Sequence, residues 1–139
     1  MTWRDWSNRD LDTRIKILTA AQALETAARL RQEGRTLAAV TGSFDPVLAE
    51  HARRLVAAKG DADALAVVIT NPRRMLLPAR ARAELVAALA VVDYVVLLEQ
   101  DDPDFIEKLG ARRVERQESG HEQLTEELTK HVRSRQQAR

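Results

Sequence analysis

Three histidines, a group of aspartates, a pair of arginines and one glycine-bearing turn are where chemistry could sit in this chain. His51, His121 and His131 are its only imidazoles, and it has no cysteine. The missing thiols exclude a disulfide scaffold, Cys-ligated zinc and thiol catalysis. His121 and His131 fall on different sides of any helix that holds both, so they make no ligand pair. Asp101, Asp102 and Asp104 suggest a metal cluster by composition, but Asp102-Pro103 reads more simply as a helix start with acidic side chains at its N-terminus. Arg73 and Arg74 are cationic candidates for a phosphate, against the alternative of a solvated loop. His51 follows the turn Thr41-Gly42-Ser43-Phe44-Asp45 and shares a helix face with Leu48 and Leu55. A packed histidine and a phosphate contact are both open for it. No hydrolase triad is visible.

The elements that must position these residues are legible in the hydrophobic pattern. Ile15 to Leu18 reads as a short extended piece. Thr19 and Gln22 form a capping box for a helix carrying Leu24, Ala27, Ala28 and Leu30, which Gly34 stops. Leu37 to Thr41 is a buried strand ending at Gly42. Asp45-Pro46 then reads as cap and first helical residue of a helix running to Lys59. Ala64 to Thr70 is a second strand and Val91 to Leu98 a third. Between them lies a helix over Ala79 to Ala90 with Leu85, Ala88 and Leu89 inward. Asp102-Pro103 starts a short helix ending at Gly110, and Arg112 to Glu115 makes an edge strand. Ser119 and Glu122 read as a capping box for a last helix with a stripe of Leu124, Leu128 and Val132.

Apolar strands alternating with helices predict parallel strands covered on both faces. The expected fold class is α/β: a Rossmann-like, doubly wound parallel sheet in three α/β/α layers. Residues 1–14, with Trp3 and Trp6 one helical turn apart, form an N-terminal arm, and residues 15–139 a single domain. Ligands in such folds bind beyond the carboxyl ends of the strands, which directs attention to the turn after Gly42.

The chain has 139 residues, 22 Lys+Arg against 21 Asp+Glu, and 45% hydrophobic residues. The near-neutral balance argues against a nucleic-acid partner held by bulk charge. No signal peptide is apparent, and the longest apolar stretch, Leu85 to Leu98, carries Asp93 and is too short to span a bilayer. A cytoplasmic protein without membrane partners is expected, and a homodimer is compatible with the Ala-rich surface.

Thr41-Gly42-Ser43-Phe44-Asp45-Pro46-Val47-Leu48-Ala49-Glu50-His51 resembles the G-x-F-D-x-x-H-x-G-H signature of cytidylyltransferase-like nucleotidyltransferases. The similarity is nearest to the domain that adenylylates heptose phosphate and to glycerol-phosphate cytidylyltransferases. It extends from about Lys16 to Leu109 through Arg31-Gln32-Glu33-Gly34, Arg82-Ala83-Glu84-Leu85 and Val92-Asp93-Tyr94-Val95-Val96. It implies transfer of a nucleoside monophosphate from ATP or CTP, with magnesium, to a phosphorylated sugar or polyol, releasing pyrophosphate. Thr41, Gly42, Ser43, Phe44 and Asp45 would then surround the nucleotide, with main-chain N–H groups at the start of the helix holding phosphates. His51 would stabilise the leaving charge. Arg73 and Arg74 stand where the family carries a phosphate-binding lysine, and Ser119 where a hydroxyl motif opens the last helix.

Two positions depart from the signature. Leu48 replaces its first histidine and Glu50 its glycine. A charge-assisted donor contributes about 1.5–3 kcal/mol, so losing one beside an added carboxylate predicts transfer slowed roughly 100-fold or more. The expectation is weakened or lost activity, with an inactive nucleotide-binding or protein-interaction module as the alternative.

Overall fold

The computed structural model describes residues 12–138, so the expected Trp3/Trp6 arm lies outside the described residues. After a 3-10 turn at Thr13–Lys16, the chain runs β1 (Ile17–Leu18), α1 (Ala20–Gln32), β2 (Leu37–Gly42), α2 (Ala49–Lys59), β3 (Ala64–Ile69), α3 (Ala79–Ala87), β4 (Tyr94–Leu97), α4 (Phe105–Leu109), β5 (Arg113–Arg116) and α5 (Glu118–Gln137). The extended piece expected from Ile15 is therefore a turn, with strand geometry confined to Ile17 and Leu18.

The five strands form one parallel sheet in the order β1-β4-β3-β2-β5. All six residues of β2 and of β3 are buried because each strand feeds two cores. Val40, Leu65, Val67, Ile69 and Val95 pack with Leu55 of α2 and Val86 of α3. Ala39, Ala66, Val68 and Val96 pack on the opposite face with Leu30 of α1 and Phe105 and Leu109 of α4. Successive side chains of a strand point to opposite faces, so a doubly covered strand must be apolar at every position. This is the Rossmann-like three-layer α/β arrangement that the hydrophobic pattern predicts. No helix among the described residues is long and apolar enough to cross a membrane.

Local start signals meet mixed fates. Thr19 and Gln22 make both bonds of the capping box on α1. Asp45-Pro46, however, does not open α2, which begins at Ala49 with Leu48 as its N-cap residue. The Asp45 carboxylate instead accepts the N–H groups of Leu76 and Leu77, at 2.6 and 2.8 Å, from the loop ahead of α3. Ser119 does not cap α5 either. Gln117 occupies the cap position without a side-chain bond; its N–H extends the β2 ladder to the Thr41 carbonyl at 2.8 Å, and its carbonyl accepts from His121. The strand thus turns straight into the helix, leaving Ser119 exposed in the first turn.

In α3 the inward face is Arg82, Ala83, Val86 and Ala87; of the expected set Leu85 and Ala88 turn outward, while Leu89, just past the helix end, packs half-buried against the core as expected. Leu85 is 45% exposed. The hydrogen bonds of Arg82 to the strand ends fix the rotation of this helix.

Candidate functional site

The carboxyl end of β2 is tightly packed. Gly42 ends the strand, and Phe44 adopts a positive φ of 49°. Ser43, Phe44 and Asp45 are all buried, Phe44 completely. Thr41 is buried as well, its hydroxyl without a hydrogen-bond partner.

His51 lies in the first turn of α2 and is fully buried. Its Nδ1 accepts the N–H of Leu48 at 2.8 Å, the reach-back bond that a residue three positions into a helix makes to its cap. That acceptor role places the ring proton on Nε2, which is buried and has no partner. Burial and the charge of Arg54 push its pKa below the ordinary imidazole value, with Glu50 opposing. The packed role is therefore realised. Glu50 is tied to Arg53 and Arg54 at 2.8 and 3.3 Å, and hydrogen bonding by Arg53 lowers its pKa first.

A second imidazole enters from the other end of the chain. His121, in the first turn of α5, is completely buried against the Gly42 turn. Its Nδ1 accepts from the main-chain N–H of Ser43 at 3.1 Å and of Phe44 at 3.4 Å. Its Nε2 lies 3.3 Å from Gln117 Oε1. The ring packs on Phe44 with centroids 4.3 Å apart. A Cβ on Gly42 would overlap the His121 ring, so the close approach demands glycine there. Burial, then His51 and Arg54, bring its pKa down to about 3.

Arg82 is the other residue that sequence reading did not assign. It is fully buried without a carboxylate partner among the described residues; its guanidinium donates to the carbonyls of Ser43, Thr70 and Leu77 at 2.9, 2.8 and 3.1 Å and to Asn71 Oδ1 at 2.9 Å. It thereby ties together the ends of β2 and β3. Burial lowers its pKa and Asp45 opposes the shift. The available signal was its i,i+4 spacing to Val86 on a helix face otherwise built of Ala and Val.

The remaining candidates are not gathered here. Arg73 and Arg74 are exposed in the loop between β3 and α3, with no ion pair among the described residues. Arg54 packs beside Gly120 at the start of α5, and its cation is the one that acts on both buried histidines. Asp102 accepts the N–H of Asp104 at 3.0 Å, the turn before α4, and pairs with Lys108 at 3.4 Å. A cleft of about 510 Å³ opens at the ends of β1 and β4, lined by Thr19, Leu97, Glu99, Asp101 and Asp102. Its carboxylates have the wrong sign for a polyphosphate.

The fold, the Gly42 turn and the relatives of the chain converge. The bifunctional protein HldE of Magnetococcus marinus is 38% identical over 68% of this chain and 21% of its own length. HldE of Acidiphilium cryptum is 35% identical over 63% of this chain and 20% of its own. HldE of Citrifermentans bemidjiense is 34% identical over 73% of this chain and 23% of its own. These relatives match the resemblance of the Gly42 turn to the cytidylyltransferase-like nucleotidyltransferases. It spans about a fifth of the length of the curated relatives it matches. No family model matches the chain.

Within this domain the signature survives as Gly42, Phe44, Asp45 and His51, but each is committed inward. Asp45 holds the 76–77 loop, Phe44 packs on two imidazoles, and His51 caps α2. Asp45 and Glu50, the carboxylates of this segment, are both engaged. Among the described residues no three His, Asp or Glu side chains are grouped to hold a metal ion. Neither carboxylate of the Gly42–His51 segment is therefore free to hold magnesium.

Proposed function

We propose that this domain binds a nucleoside triphosphate beyond the end of β2 and supports slow transfer of its nucleoside monophosphate to a sugar phosphate. In the step, an acceptor phosphate oxygen bonds to the α-phosphorus, the bond to the bridging oxygen breaks, and pyrophosphate leaves. No covalent enzyme intermediate is required. The resemblance to the heptose-phosphate adenylylating domain makes ATP and heptose phosphate the first pair to test, with CTP and a polyol phosphate second. Magnesium enters only as the counter-ion of the nucleotide, and no step is derived through it.

The observation that carries the slow rate is the fate of the two signature histidine positions. Leu48 has no donor, and His51 spends Nδ1 on its own helix and buries Nε2. Neither offers an imidazole to the charge developing on pyrophosphate. Each missing charge-assisted donor corresponds to roughly a 10- to 100-fold slower step.

A pyrophosphate-release assay with ATP or CTP, magnesium and the sugar phosphate tests the reading. Release is expected to depend on the acceptor and to be slow. Binding of nucleotide without any release would favour the second reading, a nucleotide-binding module without transfer. That reading draws on the Ser43 and Phe44 N–H groups, which are filled by an imidazole. The cytoplasm is the compartment proposed for either role.

A further inference from the structure

Two successive main-chain N–H groups, those of Ser43 and Phe44, converge on a single atom, Nδ1 of His121. Successive N–H groups around a residue in the left-handed region form a concave nest that binds anionic oxygens, and Phe44 supplies that conformation. The lone pair of an imidazole occupies this nest. We propose that His121 is a built-in competitor for phosphate oxygens, so that the Ser43–Phe44 nest receives a phosphate only when the first turn of α5 withdraws. The proposal rests on the nucleotide reading of the same cleft and adds the residue that decides whether the cleft is open.

The geometry makes the two occupants mutually exclusive. The ring is fully buried and lies so close to Gly42 that not even a methyl group fits between them. Accepting two N–H groups at Nδ1 requires the neutral ring, because an imidazolium has donors only. The contact is thus a stand-in for an anion, made by an uncharged acceptor.

Withdrawal would bare more than the nest. His51 stands beside His121 with its buried Nε2–H unused. A phosphate replacing the His121 ring would meet two main-chain donors and the start of α2, next to that unpartnered imidazole. The buried donor that nothing satisfies in the closed form is the second observation pointing to a ligand.

The closing turn is lightly held. His121 is the only buried residue of α5. Beyond it, Thr125 Oγ1 donates to the Asp45 carbonyl at 2.8 Å and Thr70 Oγ1 reaches Glu118 at 3.4 Å. From Lys130 to Ala138 every residue is exposed. One buried ring, a few hydrogen bonds and the half-buried Leu124, Thr125, Leu128 and Thr129 set the closed position, and removing the ring raises the fraction of molecules able to bind.

The test is titration of the chain with metal-free pyrophosphate, and in parallel with ATP, for wild type, His121→Ala and His121→Asn. Backbone amide resonances of Ser43 and Phe44 are followed together with those of the first turn of α5. His121→Ala is expected to bind pyrophosphate on the order of tenfold tighter than wild type. In His121→Asn the side-chain oxygen takes the place of Nδ1 and accepts the same N–H groups, so affinity stays near wild type. In wild type the Ser43 and Phe44 resonances should shift only together with those of α5.

Equal affinity of folded wild type and His121→Ala would overturn the proposal. So would a shift at Ser43 and Phe44 that leaves α5 unmoved. If His121→Ala does not fold, Thr125→Val decides: loosening the same turn should tighten pyrophosphate binding severalfold, and unchanged affinity overturns the competitor. Tighter pyrophosphate binding by His121→Ala with no transfer from ATP or CTP would leave the competitor standing and remove the transferase reading instead.

Discussion

His51 and His121 meet edge to face, ring centroids 4.4 Å apart at 82°, and neither ring has any exposed surface. One belongs to the helix after β2 and the other to the last helix, so their contact fastens α5 across the end of the sheet. Phe44 touches both rings, at 5.5 Å and 4.3 Å. Three aromatic rings thus fill the space beyond Gly42.

A buried neutral pair of this kind makes stability depend on pH. The unfolded chain binds these imidazole protons near the ordinary value of about 6.5, whereas His121 in the fold is held at about 3 and His51 is also lowered. Between those values the unfolded state binds more protons, so the stabilisation is whole above pH 6.5 and drains as the pH falls toward 3. Urea denaturation at about pH 7.5 and about pH 5 should show a lower midpoint in acid. His121→Asn should flatten that dependence. Identical midpoints at both pH values for the wild type would contradict the buried neutral pair.

Arg82 should be intolerant of its usual replacement. Lysine supplies one ammonium where the guanidinium reaches three carbonyls and an amide oxygen from a planar fork. Arg82→Lys leaves buried carbonyls unpaired and is expected to cost about 3 kcal/mol. The check is the urea midpoint, and a variant as stable as wild type would show that the fork is dispensable.

Gly42→Ala should act at a distance in sequence. Its methyl group overlaps the His121 ring, so the first turn of α5 must move. Hydrogen exchange over 118–125 is expected to quicken by at least about tenfold, since exchange follows the free energy of local opening. Adding His121→Ala should recover part of the stability of the strand end, because the nearer clash partner is then gone while the Phe44 ring still crowds the methyl group. Additive losses in the double variant would place the clash elsewhere.

Restoring the signature should restore chemistry. Leu48→His with Glu50→Gly returns a donor and removes a carboxylate near the start of α2. Pyrophosphate release is expected to rise by roughly 100-fold. If the rate does not change while the variant remains folded, the end of β2 is not where transfer occurs.

The sheet could be read from the sequence because its signals are local. Leu37–Gly42 and Ala64–Ile69 are unbroken apolar runs, and the partners of Thr19 and Gln22 lie within one helical turn. Asp45 and Ser119 carry equally good local cap signals, yet tertiary contacts decide their roles. Asp45 answers to Leu76 and Leu77, and Ser119 follows a residue already committed to β2. The site divides in the same way. Gly42, Phe44, Asp45 and His51 lie in one short stretch of chain and are legible as a motif. His121 and Arg82 reach the turn only through folding, and an isolated histidine in a polar helix or an arginine among alanines carries no mark of that destination. For His51 the sequence left packing and a phosphate contact both open, because the same spacing that directs it toward a ligand lets it reach back to the cap of its own helix.

The sheet ends in β5, whose Arg113, Val114, Glu115 and Arg116 are all exposed, and at the opposite side in β1, only two residues long. A border of alternating charge and a border too short to template hydrogen bonding both discourage a foreign strand from joining. Two copies of this domain are therefore poorly suited to share a continuous sheet across either of these borders.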